Sequence, residues 1–135
     1  MNDIDLQESD KLEGTNHPRH TNVIYGHDIP QLDFLNVYNS KRLHHAWMIT
    51  GPKGIGKATL SYKISKFILS QNQHNNLDTE ALIKTLDIST DHPVSKRVDA
   101  LGEPNLYLVR RLWDEKLKKI KQNITIDEIR KLKNF

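Results

Sequence analysis

The chain has 135 residues, of which 36% are hydrophobic and 27% are charged, a length that suits one globular domain and is short for two. It has no run of about 18 apolar residues to span a membrane, and its acidic start lacks the apolar core of a secretory signal. The absence of cysteine excludes disulfides and thiolate sites for zinc or iron–sulfur clusters. By elimination, we expect a cytoplasmic protein without a membrane partner.

The net charge of +3 is unevenly distributed along the chain. Residues 1–95 carry 9 Lys and Arg against 11 Asp and Glu, whereas residues 96–135 carry 11 against 6. A basic C-terminal part can contact phosphates or acidic partners, although a solvated charged surface is the more common meaning of such a pattern. Within it, "RRLWDEKLKKIKQ" adds one aromatic residue to the positive charge, which is a faint nucleic-acid signal.

The first predicted elements are an arm and a helix. Residues 1–20 are polar and poor in large apolar side chains, which predicts a flexible N-terminal arm ahead of a domain over residues 21–135. Asp28 as N-cap and Pro30 in the first turn predict a helix that ends near Ser40. Leu32, Leu35 and Tyr38 recur along this predicted helix at near-helical spacing.

A strand, a glycine-rich loop and a second helix are predicted next. The apolar run Ala46–Ile49 has the profile of a buried strand, with Trp47 in the core. After the loop, a helix is expected to end near Ser70, since apolar residues recur along one helical face. Those residues are Leu60, Ile64, Phe67 and Ile68. His44 and His45 have no third ligand at useful spacing, so no metal site is predicted.

The remaining elements are shorter. We expect a helix over Leu77–Leu86, one helical turn over Val94–Leu101 and a second strand in "LYLVRRL". The charged segment "WDEKLKKIKQN" is compatible with a loop, a hairpin tip or a short helix. A last helix follows in "ITIDEIRKLKNF", where Thr125 and Glu128 have the spacing of a capping box.

The motif that carries chemistry is G-x-x-x-x-G-K, which residues 51–57 match between the predicted strand and helix. Glycines allow backbone N–H groups to turn toward phosphate oxygens, and the helix directs its positive dipole end at the same anion. Lys57 adds a charge for the outer phosphates. The strand–loop–helix context makes the match a strong indication of a phosphate-binding loop.

The residue after the lysine departs from this pattern. A serine or threonine there normally coordinates magnesium, but the chain has Ala58. Thr59 lies one residue further, about 100° around the helix, and should not reach the same position. We therefore expect phosphate binding without efficient phosphoryl transfer, and no catalytic residue is assigned.

Several stretches together resemble a known family. They are "VIYGHD", "RLHHAWMITGPKGIGKATL", "HPVSKRV", "NLYLVRR", "WDEKLKK" and "ITIDEIRKL". They resemble the delta-prime family of clamp-loader subunits in bacterial DNA polymerase III, which are AAA+ proteins, over about residues 17–135. The resemblance implies an α/β fold, a P-loop AAA+ domain with a Rossmann-like parallel sheet and flanking helices, that stops before its third strand. Its first two strands are not neighbours, so they would expose unpaired edges.

The resemblance also implies a function. Delta-prime subunits act as the stator of a loader that places the sliding clamp on primed DNA, and they generally do not hydrolyse ATP, which agrees with Ala58. The implied partners are gamma/tau and delta type subunits, the clamp indirectly, and primed DNA, within a nucleotidyltransferase holoenzyme. Many members carry a four-cysteine zinc module, whose ligands this chain lacks.

The implied cofactor is ATP, at a weak or vestigial site. The candidate binding residues form the phosphate loop and, by resemblance, the segment beside the adenine. They are Gly51, Pro52, Lys53, Gly54, Ile55, Gly56, Lys57, Ala58, Thr59, Val23, Ile24, Gly26 and His27.

Two alternatives stay open. The chain could be an active P-loop ATPase whose magnesium ligand comes from elsewhere, with turnover that Lys57→Ala abolishes. It could also be a basic DNA-binding module with a vestigial loop, whose binding depends on salt and not on Lys57.

Overall fold

A computed structural model describes residues 8–71 and 82–135 of the chain. Its elements in these ranges are α1 (Asp28–Asn39), α2 (Lys57–Gln71), α3 (Pro93–Asp99), β1 (Trp113–Asp114), β2 (Lys119–Ile120) and α4 (Ile126–Lys131), with 3-10 turns at Pro18–His20 and Leu132–Asn134. Pro18–Glu103 forms one compact unit, and residues 8–17 with Pro104–Phe135 form another. The predicted division into an arm at residues 1–20 and a domain at 21–135 stays a prediction.

The longer helices agree with the sequence pattern. Helix α1 begins at the predicted Asp28, although the N-cap position is His27, which makes no capping bond with its side chain. Helix α2 ends one residue beyond the predicted Ser70, and α3 confirms the helical turn predicted for residues 94–101. No helix within the described ranges is long and apolar enough to cross a membrane.

The core of the Pro18–Glu103 unit lies between α1 and α2. Phe34, Leu35, Phe67 and Leu86 are buried together, and five partly buried residues surround them: Tyr38, Ile64, Ile68, Ile83 and Ile88. The Phe67 ring contacts Tyr38 edge-on, with centroids 4.9 Å apart. Leu32 shares the helical spacing of Leu35 and Tyr38 but is 57% exposed, whereas Phe34 is 1% exposed.

Helix α2 has a second buried face that the hydrophobic pattern did not predict. Tyr62, Lys66 and Ser70 recur every four residues and are all buried. The Lys66 ammonium donates to the Asp99 carboxylate and to the Arg19 carbonyl oxygen, each at 2.7 Å. A buried charge is tolerated when it is paired in this way, so these two bonds allow Lys66 to be buried on the second face.

The predicted parallel sheet is not confirmed. Neither Ala46–Ile49 nor residues 106–112 form a strand, and the sheet found in the described ranges is the antiparallel pair β1–β2. Trp47, expected in the core, is 45% exposed. The physical reason is pairing, because a strand needs a neighbour that accepts and donates its backbone hydrogen bonds. Within the described ranges, the backbone of these two apolar segments has one such bond, from the Lys121 N–H to the carbonyl oxygen of Leu112.

The helix predicted over Leu77–Leu86 lies partly outside the described residues, which omit 72–81. Residues 82–86 are not helical. The Asn39 side chain instead holds this segment, because its amide donates to the Ile83 carbonyl oxygen at 2.8 Å and accepts from the Ile83 N–H at 3.1 Å. Leu86, at the end of this non-helical segment, lies in the core.

The second unit contains the hairpin and α4. The charged segment 113–123, for which the sequence allowed a loop, a hairpin tip or a short helix, contains the β1–β2 hairpin, with Trp113 opposite Ile120. Thr125 is the N-cap of α4 as predicted, but its hydroxyl makes no capping bond, and its carbonyl oxygen accepts from the Glu128 N–H at 3.1 Å. Arg110 anchors residues 8–17 through ion pairs with two of their carboxylates.

The ion pair between Lys63 and Asp87 predicts a modest pH dependence of stability. The Lys63 ammonium lies 2.6 Å from the carboxylate, and its hydrogen bond, with that of the Thr85 hydroxyl, holds the pKa of Asp87 below the ordinary value. A lowered pKa stabilises the fold above the unfolded pKa of about 3.9, and this contribution is lost as the pH falls through the folded value.

We expect Asp87→Asn to cost about 0.5–1 kcal/mol at neutral pH, as for other exposed pairs, and almost nothing near pH 2. Urea unfolding of both proteins at the two pH values measures this. Asp91→Asn is the control, because Asp91 is 89% exposed and lies 3.2 Å from Lys96. An equal loss at both pH values would contradict the role given to the Asp87 charge.

Candidate functional site

The phosphate-loop motif forms a glycine-dependent turn directly before α2. Gly51, Gly54 and Gly56 have φ angles of +146°, +84° and +103°. Side chains with a Cβ rarely adopt such angles, so this backbone path requires glycine at these positions. The loop ends at Lys57, the first residue of a 15-residue helix whose N-terminus carries a partial positive charge.

The Lys57 side chain folds back over the loop. Its ammonium donates hydrogen bonds to the carbonyl oxygens of Gly51 at 2.8 Å and of Pro52 at 2.6 Å. These two acceptors lie in the first half of the motif, so the positive charge is held over the turn itself. An incoming phosphate would compete with the two carbonyl oxygens for the same donor.

The structure brings the segment before α1 against this loop. A Cβ added at Gly56 would lie 3.6 Å from His27 Cε1 and 3.8 Å from Ile24 Cδ1, at ordinary contact distance. His27 Nδ1 donates to the Tyr25 carbonyl oxygen at 2.7 Å. Because a carbonyl oxygen only accepts, His27 Nε2 is left as an acceptor when the ring is neutral. Two segments that are far apart in sequence therefore lie close together here.

A cavity of about 620 Å³ lies beside the loop and is mostly apolar. Among the predicted residues, Gly26, His27, Ile55 and Lys57 line it. It also has a wall that sequence reasoning did not assign to binding: Phe34, Trp47, Met48, Ile49, Leu60 and Ile64. Such volume and composition are typical of small-ligand pockets, which span roughly 300–1,000 Å³.

Other predicted residues do not line this cavity. Val23 and Ile24 line a separate groove formed with residues 84–88, and Val23 is 59% exposed. Pro52, Lys53 and Gly54 form the loop without lining the cavity. Ala58 and Thr59 lie in the first turn of α2.

The sequence missed Trp47 and Asp33 as site residues. Trp47 was assigned to the core because it stands in an apolar run, but its ring packs on Phe34 with centroids 5.2 Å apart and its remaining surface lines the cavity. Asp33 adds a carboxylate to the same wall. For Trp47, the available signal was its place in an apolar run directly before a phosphate loop. For Asp33, no sequence pattern indicated a place in the site.

The residues at the loop fit a phosphate group and do not supply the usual ligand for magnesium. Ala58 has a methyl group where the hydroxyl normally stands, and Thr59 points elsewhere because each helical residue turns about 100°. No cluster of three His, Asp or Glu side chains suited to a metal ion occurs among residues 8–71 and 82–135.

The loop geometry predicts that Gly56→Ala is harmful. Forcing alanine to φ +103° should cost about 1–2 kcal/mol and disturb the backbone of the loop. Gly102→Ala is the control: its φ is not positive, and an added Cβ would lie 4.0 Å from the nearest atom, the Arg97 carbonyl oxygen. Urea unfolding compares the two variants, and equal stability would show that the loop does not require glycine.

Comparison with known proteins gives one family match. A family model described as DNA polymerase III, delta subunit, matches residues 30–135, which is most of the chain. Neither the curated proteins nor the solved structures gave a match. The matched range contains residues 51–57 of the loop and, among the elements of the described residues, helices α1 to α4 without the first two residues of α1.

Proposed function

The chain belongs to the DNA polymerase III delta subunit family, and on that premise we propose that it is a non-catalytic, delta-prime type subunit of a clamp loader in DNA replication. In this role it associates with gamma/tau and delta type subunits and helps to place the sliding clamp on primed DNA. It contributes a structural part and a ligand site, and no phosphoryl transfer of its own.

The observation that carries this proposal is Ala58 directly after an intact Gly56-Lys57 pair. Phosphate binding depends on the loop N–H groups, the helix dipole and the lysine, all of which are present. Phosphoryl transfer depends in addition on a metal ion held against the transferred phosphate. This chain keeps the groups that bind phosphate but lacks the hydroxyl that would hold the metal ion, so it is suited to binding ATP rather than hydrolysing it.

We propose ATP as the ligand of this site. The loop and Lys57 would hold its phosphates, and the apolar cavity beside them would hold its base against Trp47 and Ile49. The closeness of His27 to the Gly56 turn supports a single site for both parts of the nucleotide. When bound, the triphosphate supplies the negative charge that replaces the loop carbonyl oxygens as the partner of Lys57.

Restoring the missing hydroxyl tests the proposal. In the Ala58→Thr variant, magnesium should raise the affinity for a fluorescent ATP analogue about tenfold, or ~1.4 kcal/mol, because a hydroxyl ligand is again available. The wild type should change less than about twofold. Equilibrium titrations with magnesium and with a chelator measure both.

Ala58→Val is the matched control, since valine has the shape of threonine without the hydroxyl. The proposal fails if valine produces the same magnesium effect as threonine. It also fails if the wild type hydrolyses ATP and Lys57→Ala abolishes the turnover, which is the result expected of an active ATPase.

A further inference from the structure

The β1–β2 hairpin with its flanking residues concentrates positive charge that the fold does not use. We call residues 111–121 the basic hairpin. Four of its cations form no ion pair within the described part of the chain: Arg111, Lys116, Lys119 and Lys121. Lys118 lies 3.6 Å from Glu115, but both side chains are 74% exposed, so this pair neutralises little.

The strand register separates the two faces of the basic hairpin. Trp113 pairs with Ile120, and both are half-buried on one face. Lys119 pairs with Asp114, and Lys121 donates its N–H to the Leu112 carbonyl oxygen, so these two lysines share the opposite face. Residues two apart on a strand have Cα atoms about 6.6 Å apart, so the two side chains start from neighbouring positions on this face.

Asp114 fixes the tip of the basic hairpin. One of its carboxylate oxygens accepts from the N–H groups of Lys116 and Leu117, each at 3.0 Å. The Leu117 hydrogen bond, with that of Lys116 and the nearby charges of Lys119 and Lys121, holds the pKa of Asp114 below its ordinary value. The one acid of this face is thus engaged with the backbone, whereas Lys119 is exposed and Lys121 is half-buried.

We propose that the basic hairpin binds the phosphate backbone of nucleic acid without reading its sequence. The face with Lys119 and Lys121 offers charge on flexible stems and carries no aromatic side chain, whereas protein interfaces usually centre on buried aromatic or arginine anchors. The inference goes beyond the proposed function, because it assigns a nucleic-acid contact to residues of this chain that are remote in sequence from the phosphate loop.

The test compares two triple variants of the full chain that carry the same net charge. One changes Lys116, Lys119 and Lys121 to alanine. The control changes three cations that belong to the other compact unit: Arg42, Lys84 and Lys96. Fluorescence anisotropy with a labelled DNA duplex of arbitrary sequence gives the affinity between about 50 and 200 mM salt.

The hairpin variant should bind about tenfold more weakly, and the slope of log affinity against log salt should fall by about 2–3, since each phosphate contact contributes about 0.9. The control should retain both the affinity and the slope. Equal losses in the two variants would mean that only net charge matters, and absence of DNA binding by the wild type at low salt would also overturn the proposal.

A second measurement needs no variant. Acetylation of wild-type lysines should slow at Lys116, Lys119 and Lys121 when DNA is added and stay unchanged at Lys96, which is 63% exposed. Protection that is uniform over all lysines, or protection by anionic vesicles and not by DNA, would contradict a nucleic-acid site. Binding of the ATP analogue should survive the hairpin substitutions, so failure of this inference and failure of the proposed function are distinguishable.

Discussion

Replacing Phe67 with alanine should lower the free energy of unfolding by about 3–5 kcal/mol, the range measured for buried phenylalanines in other proteins. The Phe67 side chain is 1% exposed and joins α2 to α1 through edge-on contacts with the rings of Phe34 and Tyr38. Its loss removes apolar burial and leaves a cavity between the two helices. Small domains have a total free energy of unfolding of roughly 5–15 kcal/mol, so this loss is a large fraction of it.

Urea unfolding followed by far-UV circular dichroism measures this effect. Ser61→Ala on the same helix is the control, because Ser61 is exposed and its hydroxyl donates to the Lys57 carbonyl oxygen of its own helix at 3.0 Å. We expect the control to change stability by less than about 0.5 kcal/mol. Similar midpoints for Phe67→Ala and Ser61→Ala would contradict the core described between α1 and α2.

Lys57→Ala should weaken binding of a fluorescent ATP analogue about ten- to hundredfold, which corresponds to the loss of charged hydrogen bonds worth ~1.5–3 kcal/mol. The ammonium is already placed over the turn by its bonds to Gly51 and Pro52. Removing the ammonium also leaves those two carbonyl oxygens without this donor, and their partial negative charges would repel the phosphates.

The matched control for this variant is Lys96→Ala. Lys96 lies in the same compact unit, is 63% exposed and does not line the cavity. Its loss changes the net charge by the same amount, so it corrects for general electrostatic attraction of a triphosphate. If both variants bind equally well, the loop does not hold the phosphates, and the site proposed here is wrong.

Local sequence signals were sufficient to predict those elements whose conformation depends on residues within the element itself. The loop glycines and the helix that follows were predicted, since both rest on backbone geometry and on a repeating apolar face. The N-cap position of Thr125 was also correct, but not the side-chain bond expected of it. A cap residue can satisfy the first turn through its carbonyl oxygen, and sequence does not distinguish the two arrangements.

Features that depend on distant partners were not predictable. The second buried face of α2 is polar, and Lys66 can be buried there only because Asp99 and the Arg19 carbonyl oxygen meet it. In the same way, Ile83 follows the Asn39 side chain rather than its own helical preference. Neither pairing leaves a periodic pattern in the sequence.

The strands also depend on partners outside their own segment, so they could not be predicted from composition. Ala46–Ile49 has the composition of a buried strand, yet a strand exists only with a neighbour to pair with. The described residues provide that neighbour only within the hairpin, where Trp113 and Ile120 face each other across a short turn. Composition thus indicated which segments are apolar but not which of them form a sheet.

The most direct test of the central claim is the binding of a fluorescent ATP analogue to the folded wild-type chain, with magnesium and with a chelator. Binding that requires Lys57 and is indifferent to magnesium is the predicted result, because the loop keeps its phosphate donors while Ala58 offers no metal ligand. Strong magnesium dependence, accompanied by release of phosphate, would contradict the account and identify the chain as a working ATPase.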